Sequence, residues 1–225
     1  MSRIDNIRKV IYTCITNGYD TLTNQPVKID GYDYVCFTDN PSIISDFWIV
    51  KEIPEELKWL DKAKQTKIIK ICPHRYLLEY DMSIWFDGNL KLDFNFDLFI
   101  KSFIDDTYNI YFKKHPVRKC IYSEAVVCKR MKKDKPEIID EQINEYQTDN
   151  FPSNFGLSEN NFIVRFHNES DCKRLMEMWS DEVIKHSKRD QLSLMYCIWK
   201  TGTSFKYFNN DKRLNVTKHI KVFCY

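Results

Sequence analysis

Apolar residues in the first ninety positions come in short runs of high β-propensity, each ending in a polar turn. "KVIYTCIT" (9–16) gives way to Asn17-Gly18, and "YDYVCFTDNP" (32–41) closes on Asp39-Asn40-Pro41. "FWIVKEI" (47–53) follows, and "MSIWFDGNLKL" (82–92) runs from Ile84-Trp85-Phe86 straight into Asp87-Gly88-Asn89. Runs of this length with little alternation predict strands covered on both faces. Between the third and fourth runs, "EELKWLDKAKQTKIIKICPHRYL" (55–77) sets Leu57, Leu60, Ala63, Ile68 and Ile71 on an approximate stripe. That spacing predicts a helix bending at Pro73.

The second half continues the alternation. "YNIYFKKH" (108–115) and "NNFIVRFHN" (160–168) predict strands, and helices are predicted over about 119–131 and 136–147. "SDCKRLMEMWSDEVIKHS" and "RDQLSLMYCIWK" predict two closing helices, with Ser170 and Asp190 near their starts as candidate caps. Strands alternating with helices predict an α/β sandwich with a mostly parallel sheet. In such sheets ligands collect beyond the carboxyl ends of the strands. Thr16-Asn17, Thr38-Asp39 and Asp87-Gly88-Asn89 all fall there, so three polar turns share one rim.

Composition narrows the class. The 225 residues are 43% hydrophobic and 29% charged, which fits one folded domain and excludes a disordered chain. A net charge of +2 gives no general footprint for nucleic acid. The segment 113–135 is strongly basic, and a solvated helix face is preferred there over a landing surface for phosphate or an anionic acceptor. Eight cysteines show no C-x-x-C and no Cys/His zinc spacing, and several sit inside apolar strands, which favours a reducing compartment. The N-terminus has no signal-peptide pattern and no apolar run reaches bilayer length, so a soluble, cytoplasmic protein without a membrane span is expected.

The chain has no G-x-G-x-x-G and no Walker loop, so phosphate must be held by other means. A divalent cation is the obvious one, because Mn²⁺ or Mg²⁺ takes one or two carboxylates and lets substrate phosphate complete its shell. Asp87 offers a carboxylate and Asn89 an amide oxygen, with Gly88 between them allowing close approach. The plainer reading is a turn, since Asp-Gly and Gly-Asn both favour one. His167, just after a late strand, is a candidate imidazole ligand, weighed evenly against a satisfied structural histidine. His115 and His74 read as structural or positioning. Asp190 is either a helix cap or a base toward an attacking hydroxyl, and Glu124 either a competing base or a salt-bridged residue on a basic helix.

Six blocks in order, "IYTCITNGYDTL", "YDYVCFTDNP", "KICPHRYLLEYDMSIWFDGNL", "HPVRKCIYSEA", "FPSNFGLSENNFIVRFHN" and "SKRDQLSLMYCIWK", carry a resemblance from about residue 9 to about 200. The chain resembles the GT-A-type glycosyltransferase domain of plant Golgi mucilage- and pectin-related proteins, and is similar to stand-alone domains of bacteria and large algal viruses. The resemblance implies one domain over 1–225, with a nucleotide-binding half over about 1–95 and an acceptor-side half over about 96–225. It implies a nucleotide-sugar donor (UDP-sugar being the commonest), a glycan or oligosaccharide acceptor, and Mn²⁺ or Mg²⁺. Its Asp-x-Asp-like motif falls on Asp87-Gly88-Asn89, with Asn in place of the last Asp. By the same analogy Thr13, Asn17, Tyr19 and Asp39 lie near base and ribose, and Lys67, Lys70 and Arg75 serve the pyrophosphate. His167 becomes the late metal ligand, and Asp190 or Glu124 the base. Inversion in one displacement follows if that carboxylate lies opposite the leaving group.

Two other readings stand beside this one. A nucleotide-sugar hydrolase or nucleotidyltransferase shares the metal and diphosphate needs, but the first loop carries one glycine where nucleotidyltransferases are glycine-rich. A non-catalytic nucleotide- or sugar-binding module draws support from Asn89.

Overall fold

The structure is a computed structural model, and it describes residues 3–25, 27–88, 90 and 96–208. Asn89, and with it the last position of the Asp-Gly-Asn turn, lies outside the described residues. Seven strands form one sheet: β1 Lys9–Ile15, β2 Tyr32–Thr38, β3 Ile49–Glu52, β4 Met82–Phe86, β5 Ile110–Lys114, β6 Ser158–Arg165 and β7 Lys206–Phe208. Their order is β3-β2-β1-β4-β6-β5-β7. All run parallel except β6, which is antiparallel to both its neighbours. This is the expected α/β sandwich with a mostly parallel sheet, of GT-A-like type.

Both faces of the sheet are buried, which explains the unbroken apolar runs. Along β1, Val10, Tyr12 and Cys14 pack into one core layer, and Ile11 and Ile15 into the other. Helices α1 Lys62–Ile71, α6 Ser170–Lys185 and α7 Asp190–Thr201 cover the first face. Helix α3 Phe96–Phe103 covers the second through Phe96, Phe99 and Ile100. Helices α4 Ile121–Arg130 and α5 Pro136–Thr148 pack beside α7 and α6 and meet each other through Ala125, Cys128 and Ile139.

The helix predicted from Glu55 is instead a 3-10 turn, Glu55–Leu57, followed by α1 from Lys62. Asp61 sets that start by accepting from the backbone N–H groups of Ala63 and Lys64 at 3.0 and 3.1 Å. The break at Pro73 is present, and a short helix α2, Pro73–Tyr76, begins there. The carboxyl end of α1 is fixed by Arg165 of β6, which is fully buried and donates to Ile71 O at 3.1 Å and Lys70 O at 2.8 Å. A guanidinium satisfying the last carbonyls of a helix also complements its dipole. Arg165 thereby locks α1 to the sheet, and α1 carries the two lysines on which the site depends.

Candidate active site

The carboxyl ends of β1, β2, β4 and β5 reach one rim, and the start of antiparallel β6 reaches the same rim from the other direction. Beyond β4, β5 and β6 lies a cleft of about 410 Å³. Its lining joins Asp87 after β4, Lys67 and Lys70 of α1, His115 and Arg118 after β5, Glu124 of α4, Glu159, Asn160 and Asn161 of β6, and Arg189, Asp190 and Gln191 at the start of α7. Five of the candidate residues therefore meet in one place: Asp87, Lys67, Lys70, Glu124 and Asp190.

Lys67 and Lys70 are three residues apart and share a helix face. Asp190 lies across from them, 98% buried, with Lys70 Nζ 2.6 Å from Oδ2 and Lys67 Nζ 3.2 Å from Oδ1. Burial alone would push the Asp190 carboxyl up. Lys67, Lys70 and Arg189 outweigh it and hold the group well below the usual carboxylate range. Lys70 is as deeply buried, and burial lowers its ammonium's pKa even though Asp190 pulls the other way. Asp190 caps nothing with its side chain, so the helix-cap reading fails. A carboxylate held so far down is also a weak proton acceptor near neutral pH. Its evident task is to hold two lysines at the mouth of β4.

Asp87 accepts from the Trp85 indole N–H at 2.9 Å, and its carboxylate is 42% exposed. Lys70 Nζ stands 4.0 Å from it. Across the strand boundary the Asp87 N–H donates to Asn161 O at 3.0 Å, which continues the register Phe86↔Phe162. Directly opposed residues of an antiparallel pair share a face, so Asn161 stands beside Asp87. The Asn161 amide oxygen is buried with no hydrogen-bond partner among the described residues. An exposed carboxylate next to an orphaned amide oxygen is a donor set suited to a hard divalent cation. Gly88 fits tightly: a Cβ there would come within 3.3 Å of Ile15 Cδ1 and Cγ1.

His115, read as structural or positioning, lines the cleft. Its Nδ1 accepts from the backbone N–H groups of Val117 and Arg118 at 3.1 and 2.9 Å. Burial, then the Arg118 guanidinium, lowers its pKa. The neutral ring therefore carries its proton on Nε2, which faces Arg118 Nη2 at 3.1 Å, donor against donor. An anion accepting from both N–H groups at once would relieve that opposition. Arg118 also donates through Nε to Glu124 Oε2, while among the described residues Glu124 Oε1 meets only the Cys128 thiol at 3.6 Å. The basic stretch 113–135 is thus partly a cleft wall and not simply a solvated face.

The other candidates lie elsewhere. Asp39 accepts from the Asn17 N–H at 3.0 Å and pairs with Lys62 at 3.0 Å, stitching the β1 and β2 ends together. Burial would raise its pKa, but Lys62 and the Asn17 N–H lower it overall. Asn17 adopts φ 55°, the left-handed turn conformation that Asn tolerates, and Tyr19 is largely exposed. A second recess of about 450 Å³ runs beside this loop, between Gly18–Asn24 and Asn40–Ser45. Thr13 is fully buried beneath Gly88 and presents no surface. Arg75 does not line the cleft: it makes a two-point ion pair with Glu177 of α6, which His74 also contacts at 2.6 Å.

His167 is not brought to Asp87. Because β6 is antiparallel to β4, residue 161 is opposite Asp87 and residue 167 is six positions further toward the far edge, roughly 20 Å away at strand spacing. There His167 is fully buried, its Nε2 3.0 Å from Leu77 O, and burial lowers its pKa to about 4. Asn161 and Arg118 of the cleft lining were not among the candidates, and His115 was weighed only as structural or positioning. The first was legible only once the direction of β6 was known.

The class is that of α/β proteins with a GT-A-like sheet and a charged cleft beyond its strand ends. More particularly, a family model described as TOD1/MUCI70, glycosyltransferase-like domain matches residues 36–221, and the chain belongs to that family. No curated protein matches the chain significantly. Among the described residues no helix is long and apolar enough to cross a membrane.

Proposed function

We propose that the chain is a metal-dependent glycosyltransferase that moves a sugar from a nucleoside-diphosphate donor to a hydroxyl of a glycan acceptor. The observation that carries this reading is the Asp87 carboxylate 4.0 Å from Lys70, one of two cleft lysines that a buried Asp190 holds in place. A carboxylate for a cation and two ammonium groups for phosphate oxygens, at one strand end, match a metal-bridged diphosphate. Asp87 and Asn161 would hold Mn²⁺ or Mg²⁺, with Asn89 of the same turn as a further expected ligand and His167 excluded by its distance. Bound there, the ion would neutralise diphosphate charge and stabilise the departing nucleotide.

Lys67 and Lys70 then bind the diphosphate. His115 and Arg118 supply the donors of a second anionic contact on the opposite wall. The recess beside Gly18 and Asn40 is the place for base and ribose. Glu124 is the better base of the two carboxylates, because one of its oxygens meets only a weak thiol donor whereas both Asp190 oxygens face ammonium groups. It would accept the proton of the attacking hydroxyl as the new glycosidic bond forms at the anomeric carbon and the nucleoside diphosphate departs.

A second reading, a nucleotide-sugar binder without turnover, is favoured by the cation partners that both carboxylates already have. Calorimetric titration with UDP, GDP and TDP, each with Mn²⁺ and with EDTA, tests both readings. The best nucleotide's sugar conjugates are then screened for release of nucleoside diphosphate. Metal-dependent binding of one nucleotide, with slow release from one of its sugar conjugates and loss of both in Asp87→Ala, is expected. Metal-dependent binding with no release from any conjugate and acceptor would select the binder. No binding with any metal would sink both.

A further inference from the structure

A second cluster of ligating side chains lies outside the cleft, where α5 meets the end of α6. Glu182 and His186 are four residues apart and so occupy one helix face, and Glu145 of α5 faces them. One ligand atom from each lies within 4.8 Å of the others. His186 Nε2 is 3.2 Å from Glu145 Oε2 and 3.7 Å from Glu182 Oε2. Yet that nitrogen, on a side chain 98% buried, makes an aligned hydrogen bond to neither carboxylate or to any other described group. Both oxygens lie within 3.7 Å of it, one from each helix.

Those separations, 3.2 and 3.7 Å, bracket the spacing that a metal imposes on its ligands. Zinc binds imidazole nitrogen and carboxylate oxygen at about 2.0–2.2 Å, so tetrahedral neighbours around it sit roughly 3.3–3.6 Å apart. Outer partners that orient the carboxylates are also present. Tyr146 donates to Glu182 Oε2 at 2.5 Å and itself accepts from Gln142 at 2.9 Å. A simple ion pair leaves neither a buried imidazole nitrogen unbonded beside two carboxylates nor a tyrosine–glutamine chain behind one of them.

We propose that Glu145, Glu182 and His186 form a zinc site, distinct from the Asp87 centre, that joins α5 to the end of α6. One imidazole and two carboxylates suit a borderline transition ion better than Mg²⁺, and the half-exposed Glu145 leaves a fourth position for water. Lys185 is the internal competitor: its ammonium contacts both Glu145 oxygens at 2.6 and 2.7 Å from an exposed position and must give way when zinc binds. The site has a consequence for the cleft. His186 is followed by the turn that delivers Arg189 and Asp190, and Asp134 anchors that turn through Ser187 and the Lys188 N–H. Zinc fixes the near end of that turn.

The test is metal content and affinity of the full chain. Protein stripped with EDTA is titrated with Zn²⁺ alone, zinc is counted after desalting, and X-ray absorption reads the donor atoms. One equivalent in a nitrogen/oxygen shell without sulfur is expected, and it is retained in Asp87→Ala. His186→Gln and Glu182→Gln lose it. Tyr146→Phe weakens it about 10–100-fold, and Lys185→Met tightens it. Zinc at about 100 times its Kd raises Tm by roughly 5–10 °C in the wild type and leaves His186→Gln unmoved. Should His186→Gln fail to fold, the opposite affinity changes in Tyr146→Phe and Lys185→Met still decide. No bound zinc, sulfur in the shell, or affinity indifferent to residues 146 and 185 would overturn the assignment.

Discussion

Replacing Asp190 by Asn separates a carboxylate that anchors lysines from one that takes a proton. The substitution keeps size and removes charge, leaving Lys70 with its buried ammonium and no counter-ion at 2.6 Å. Removing one partner of a buried ion pair costs about 3–5 kcal/mol. At this chain length that is roughly 6–20 °C in Tm. Lys70 can limit the loss by shedding its proton, since burial already lowers its pKa. A base with a depressed folded pKa gains stability as pH rises between its folded and unfolded values. The Tm deficit of Asp190→Asn should therefore shrink between pH 6 and pH 9. Over that range the wild-type carboxylate is fully ionised, because its folded pKa lies below the unfolded value of about 3.9 and its contribution fades only in acid.

The double variant Asp190→Asn/Lys70→Met completes the argument. With the Lys70 charge gone as well, the deeply buried ammonium no longer lacks a counter-ion, so the double variant should regain part of the lost Tm, Lys67 still being without its partner. Thermal unfolding by circular dichroism at pH 6, 7.5 and 9 measures all four corners of the cycle. The reasoning fails if Asp190→Asn melts like the wild type, or if the double variant is no more stable than that single one. Nucleotide affinity in Asp190→Asn should fall alongside Tm, since the lysines lose their fixed position. A base alone would lose turnover and keep affinity.

Other variants probe neighbouring groups. Glu124→Gln should lower turnover about 100-fold or more with nucleotide affinity unchanged, as read by initial rates and calorimetry; equal losses in both would make Glu124 a binding residue. Gly88→Ala should destabilise by about 1–3 kcal/mol through its contact with Ile15, and Ile15→Val in the same chain should recover part of that loss in a denaturant titration. His167, with its pKa lowered to about 4 from 6.5, binds fewer protons folded than unfolded across that window. Stability should decline by about 3 kcal/mol as pH falls from 6.5 to 4, and His167→Gln should flatten the slope.

Much of this architecture was legible because local chemistry agreed with the fold. The apolar runs of β1, β2 and β4 read as doubly covered strands, and each polar terminus fell on the shared rim. Helix α3 and strand β7 left weaker marks. The α3 segment is apolar enough to resemble a strand, and Lys206–Phe208 is three residues long. The start of α1 was misread because Leu57 and Leu60 continue the apolar stripe, while Asp61 ends the preceding turn and caps the helix. Burial was the hardest quantity to read. Asp190 at a helix start looks like a solvent-facing cap, and only the arrival of Lys67 and Lys70 from α1 makes it a buried counter-ion.

The fate of His167 turns on one property that residue types do not encode, the direction of a strand. "NNFIVRFHN" has polar residues at both ends, so whichever end meets the rim supplies the candidates. Had β6 run parallel to β4, His167 and Asn168 would have followed it to the cleft. Running antiparallel, it brings Glu159, Asn160 and Asn161 there and carries His167 to the opposite edge, against Leu77. The same reversal sends Arg165 to the carboxyl end of α1, where its buried guanidinium holds the helix that presents Lys67 and Lys70. One antiparallel strand thus does two things for the site: it supplies the amide beside Asp87 at one end and secures the lysine helix at the other. Arg165→Met tests that link, since it leaves the cleft lining untouched yet should reduce stability and diphosphate affinity together; a loss of stability with affinity intact would show that α1 holds its lysines without it.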